Sequence, residues 1–167
     1  MNRKFGILPA AHAAYVDSCA AARIPAQAEV QTVGYAIKSA GTHAPDGTFI
    51  NSEGDNEPYC AATDFSVLRP NHLSGGQVSR LLLAMLERGF APFWRHEGTF
   101  QDGPHIHAIW ADCKMKPQLQ AQLGDFVVGR SGLVGHRLDS FWASFIDQHA
   151  WERYTSALVA AQRAHNG

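Results

Sequence analysis

Val78, Leu81, Leu82, Met85 and Leu86 fall at i, i+3, i+4, i+7 and i+8, and Gly89 stands just past them. That spacing lays one apolar stripe along a helix over residues 77–88, with glycine where helices most often turn off. Ser74 supplies a start signal ahead of it. Residues 90–95 then read as a strand, a polar loop runs through Gly103, and residues 105–110 read as a second strand. A helix feeding two neighbouring strands must lay its stripe across them. The expected class is α+β: a small antiparallel sheet with packed helices and an added C-terminal helical segment.

The remaining segments fit around that unit. Residues 10–22 are Ala-rich and end before Pro25, which predicts a short helix. Residues 30–37 alternate as a strand does, with Val30, Thr32 and Tyr35 as β-formers. Residues 39–58 turn to Gly, Thr, Pro, Asp, Asn and Ser, the composition of a long loop or irregular hairpin, and loops of that length are commonly functional. Residues 61–67 form a short strand carrying Asp64. Past Lys116 and Pro117, Leu119, Leu123, Phe126 and Val127 recur at helical spacing before Gly129. Residues 139–165 give one long helix or two shorter ones, rich in aromatics, whose apolar spacing suits a cap on the core. With 167 residues and no convincing linker, one domain over 1–167 is expected.

Bulk properties exclude several classes. A net charge of -1 with both signs scattered leaves no basic stripe for nucleic acid and no polybasic membrane contact. No apolar run reaches membrane-spanning length. Cys19, Cys60 and Cys113 are an odd number without CxxC spacing, so neither a disulfide framework nor a thiolate zinc site is read from them. Pro9, His12 and Asp17 interrupt any signal-peptide core after the basic start, so synthesis in the cytoplasm without a recognisable signal peptide is expected. Nine histidines remain as the compositional signal.

Two of those histidines share a strand. His105 and His107, one residue apart, project from the same face, while Ile106, Ala108 and Trp110 take the other. Such a pair forms half of a metal site, or couples one ligand to one proton-transfer group. Asp64 lies among Ala61, Ala62, Thr63, Phe65 and Val67, where a carboxylate is costly without a cation or strong donors beside it. His43 and Glu57 in the long loop, and His96, Glu97 and Asp102 in the second loop, complete the polar candidates. Cys60 reads most simply as a small buried residue.

The order Cys60-Ala61-Ala62-Thr63-Asp64, helix, Gly89-Phe90, His105-Ile106-His107 resembles a superfamily of zinc peptidases. It includes D-alanyl-D-alanine dipeptidases and carboxypeptidases, phage L-alanyl-D-glutamate endopeptidases and the hedgehog signalling domain. Its pattern is His-x-x-Gly-x-Ala-x-Asp, a helix ending in Gly-Phe, and a last strand bearing the final His. Ala62 and Asp64 match the Ala-x-Asp end, and the likeness spans about residues 30–113. The resemblance implies zinc held by Asp64 and His107, with His105 beside the metal as proton donor or oxyanion stabiliser. It implies a carboxylate base shortly before the last histidine ligand: Glu97 with His107 as that ligand, the preferred assignment, or Asp102 if His105 takes that place. The family's first histidine falls at Glu57 and its glycine at Cys60. The third ligand is therefore Glu57 or His43, and His43 is preferred because histidine is the commoner zinc ligand.

The function so implied is zinc-dependent cleavage of peptidoglycan stem peptide, of carboxypeptidase or endopeptidase type, with Arg69 or Arg95 available for a substrate carboxylate. Action on the cell wall would then follow lysis or signal-independent export. A non-catalytic metal- or wall-binding module of the same fold is the first alternative. A cysteine hydrolase using Cys60 with His43 or His105 as base is the second.

Overall fold

Ser74 caps the central helix by accepting the Gln77 backbone N–H, while the Gln77 side chain accepts the Ser74 N–H in return. In the computed structural model this helix spans Gly75–Glu87, and Val78, Leu81, Leu82, Met85 and Leu86 are all buried. Residues 6–27, 29–31, 42–100, 103–130, 142–144 and 146–166 are described. In chain order the elements are α1 (Pro9–Ala22), β1 (Glu29–Gln31), β2 (Gly47–Ile50), β3 (Asn56–Tyr59), β4 (Ala62–Ser66), α2 (Gly75–Glu87), β5 (Phe90–Arg95), β6 (His105–Trp110), α3 (Pro117–Val127) and α4 (Gln148–Asn166).

Among the described residues two antiparallel sheets result, one ordered β1-β4-β6-β5 and one a β2-β3 hairpin. The α+β expectation holds. The stretch expected as a loop or irregular hairpin contains this hairpin. Of the strand expected over 30–37, only its first residues fall among those described.

Register sorts the four-stranded sheet into two faces. Asp64, His107 and Phe93 lie in one row, and Ser66, His105 and Arg95 in the next. The opposite face carries Phe65, Ile106 and Trp94, then Thr63, Ala108 and Pro92. Pro92 can sit here because β5 is an edge strand and its missing N–H would face outward. Tyr15 of α1 stacks on Phe65 at 3.8 Å, and α2 packs beside α1 and across β5. On the histidine face, Phe126 of α3 meets Phe93 edge-on at 5.2 Å, and Trp151 of α4 meets Phe126 at the same separation. Both faces are thus covered, which explains why all five residues of β4 are buried.

The turn from α2 into β5 depends on one glycine. Gly89 has φ +93°, and a Cβ there would stand 3.3 Å from the Trp110 ring. Gly89→Ala is expected to cost about 1–3 kcal/mol through backbone strain and crowding. Thermal unfolding should show a midpoint several degrees lower; an unchanged midpoint would refute the steric account.

Candidate metal centre

The strand pair β4–β6 places Asp64 directly opposite His107, because antiparallel partners share a face. Asp64 Oδ1 lies 2.7 Å from His107 Nδ1. Its other oxygen, Oδ2, lies 3.2 Å from His43 Nε2 and 3.6 Å from His105 Nε2. One ligand atom each from His43, Asp64 and His107 falls within 4.8 Å of the others, and all three residues are buried. This cluster can hold a metal ion.

His43 reaches the cluster from the turn before β2. That turn is tied down by Asp46, whose side chain is fully enclosed. Asp46 accepts the Ala61 N–H at 2.7 Å, the Lys116 N–H at 2.7 Å and the Lys116 ammonium at 3.0 Å. Lys116 Nζ also donates to the Ala44 carbonyl. One carboxylate therefore joins the His43 turn, the entry to β4 and the start of α3.

The partners of the remaining ring nitrogens carry the chemical argument. His43 Nδ1 faces the Ala62 carbonyl at 3.3 Å, His105 Nδ1 the Gly103 carbonyl at 2.8 Å, and His107 Nε2 the Gln122 amide oxygen at 3.0 Å. These oxygens only accept, so each nitrogen facing them carries the proton. A neutral imidazole then presents its unprotonated nitrogen to Asp64. Three lone pairs converging on a carboxylate repel unless a cation stands among them or the rings are charged. Three imidazolium ions around one carboxylate would leave an excess positive charge in a largely buried cluster, which is unfavourable. Burial also holds the His107 pKa below its ordinary value, against opposing hydrogen bonding and charge attraction from Asp64. For Asp64, burial pushes the pKa up, but while His107 and His43 carry a proton toward it, as they must with no cation between them, their hydrogen bonds outweigh burial and keep the carboxyl well below the usual range; a metal ion takes the place of those protons. An ionised carboxylate and neutral imidazoles are the ligand forms metals require.

Other sequence candidates sort clearly. Glu57 lies in β3 and accepts the Asn51 amide N–H at 2.9 Å, inside the hairpin. His43, not Glu57, joins the cluster. The Glu97 carboxylate is 85% exposed and pairs with His96 at 3.3 Å, so it is not gathered with Asp64. Asp102 lies outside the described residues. Arg95 is buried with its guanidinium 4.7 Å over the Phe93 ring, and Phe100 packs edge-on to His105 at 5.3 Å. Arg69 is exposed beyond the end of β4. Cys60 is buried, donates to the Thr42 carbonyl at 3.1 Å, and its pKa is pushed up to about 12 by burial and by Asp46. It is a poor nucleophile, as only a thiolate attacks readily.

Sequence reasoning missed two contributors. Asp46 carries no signal beyond a turn in Pro45-Asp46-Gly47. Gln122 does carry one: Leu119, Gln122, Leu123 and Phe126 stand at i, i+3, i+4 and i+7, so a polar residue interrupts the buried stripe of α3. Comparison with family models, with curated proteins and with solved structures returns no match to this chain.

Proposed function

We propose that the chain is a zinc-dependent peptidase acting on peptidoglycan stem peptide, with the metal held by His43, Asp64 and His107. The observation supporting this most directly is the orientation of the rings, each giving its outer nitrogen to an oxygen and its inner one to the cluster. Two imidazoles and one carboxylate form a donor set suited to zinc, and three protein ligands leave a position for water or substrate. When bound, zinc supplies Lewis acidity toward a scissile carbonyl and lowers the pKa of water.

His105 is the proton-transfer group in this reading. Its Nδ1–H is fixed on Gly103, and its Nε2 points toward Asp64 from the more exposed side of the cluster. From there it can take a proton from water and return it to the leaving amine. Glu97, exposed and paired with His96, supports this assignment over a glutamate base. Arg95, in the same row as His105, supplies positive charge for a substrate carboxylate, and a terminal carboxylate favours the carboxypeptidase type.

The test begins with metal content of the purified protein. One zinc per chain is expected, and free zinc at a hundredfold above Kd should stabilise the fold by about 2.7 kcal/mol. For a chain of this size that is a rise of about 5–11 °C over the chelator-treated sample. The loaded protein should then release D-alanine or a shortened peptide from stem peptides. Absence of zinc and of any thermal response would sink the metal centre. Stoichiometric zinc with no cleavage of any stem peptide would leave the binding-module alternative instead.

A further inference from the structure

Given the metal centre proposed above, on which this rests, we infer that Gln122 of α3 is a positioning residue that selects Nδ1 of His107 as the coordinating nitrogen and links docking of α3 to metal uptake. His107 lies in the middle of β6 with both ring nitrogens engaged, Nδ1 toward Asp64 at 2.7 Å and Nε2 toward the Gln122 oxygen at 3.0 Å. His43 and His105 are oriented by backbone carbonyls, which no side-chain substitution removes. His107 instead depends on a side chain from a different helix, 15 positions along the chain.

Gln122 is itself buried, between Leu119 and Leu123 of the buried stripe of α3. A buried amide in an apolar stripe is costly without partners. With its oxygen on Nε2–H, it holds the tautomer whose Nδ1 lone pair is open to a cation. With the amide reversed, an N–H would face Nε2, the proton would move to Nδ1, and the metal position would close against Asp64. The same hydrogen bond anchors α3, whose Phe126 sits on Phe93 beneath His107. Histidine ligands to metals typically carry such an outer partner, and its loss costs about 10–100-fold in affinity. By linkage, whatever the helix contributes to metal affinity, the metal returns to docking of the helix.

The experiment compares zinc affinity by competition with a chelating indicator, and hydrogen exchange of residues 117–127 with and without zinc. The comparison uses wild type, Gln122→Leu and Gln122→Glu. Gln122→Leu is expected to bind zinc about 10–100-fold more weakly and to lose the zinc-induced protection of α3. Gln122→Glu keeps an acceptor for Nε2–H and should bind at least as well as wild type, so it reports on the role even if the leucine variant folds poorly. Equal affinity in all three proteins overturns the role of Gln122 while leaving the metal centre standing. Tighter zinc binding by Gln122→Leu also overturns it, by showing that the amide holds the closed tautomer. A wild-type protein that takes up no zinc removes the metal centre and this role with it.

Discussion

An Asp64→Ala variant is expected to take up no stoichiometric zinc, and its melting temperature should no longer respond to added metal. Asp64 is the residue toward which all three imidazoles are turned, and the only anion of the cluster among the described residues. Its removal deletes one of three ligands and the negative charge that makes a divalent ion acceptable in a buried place. Loss of an outer partner alone costs about 10–100-fold in affinity, so loss of this ligand should exceed about 100-fold. Asp64→Asn separates charge from shape: it keeps an acceptor oxygen toward His107 but not the anion, and it should fail almost as completely. Metal analysis and melting curves with chelator or zinc decide the matter. Wild-type zinc affinity in Asp64→Ala would show that the ion, if any, is held elsewhere.

Asp46→Ala should have the largest effect on stability. Its carboxylate satisfies two backbone N–H groups and the Lys116 ammonium, and its side chain has no exposed surface. Truncation leaves those donors without their acceptor inside the protein. Breaking a buried ion pair in this way costs about 3–5 kcal/mol, and the unpaired amides act in the same direction. Lys116 is one-fifth exposed and can turn to water, which keeps the cost from rising further. The melting midpoint should fall by about 6–20 °C. Zinc affinity should fall with it, because the same carboxylate anchors the turn that carries His43. A variant melting within a degree or two of wild type would refute the bracing role.

How much of this was legible beforehand differs by element. The α2 stripe, the Ser74 start and the Gly89 exit were readable because helix periodicity and capping are local. The shared face of His105 and His107 was readable for the same reason, and the register with β4 brings Asp64 to it as expected. The histidine pair alone was an ambiguous signal. Opposite a buried aspartate it becomes part of a cluster that can hold a metal ion.

The choice of the third member of the cluster was not local. Glu57 has the right distance in sequence, but hairpin pairing turns it toward Asn51, whereas His43 is carried inward by the Asp46 anchor. Glu97 has suitable chemistry, but its position after β5 leaves it in solvent. Gln122 was visible as a polar break in an apolar stripe, yet nothing in the chain says which ring such an amide meets.

By itself, then, the sequence determined the α+β class, the strand face bearing two histidines, and the need for compensation at Asp64. Each follows from a period of two or 3.6 residues, or from the cost of an isolated buried charge. Only the tertiary structure decided that His43 completes the cluster, that α3 reaches into it, and which nitrogen of each ring faces Asp64. Those depend on loop closure and on oxygen acceptors supplied by distant segments, which no local pattern encodes.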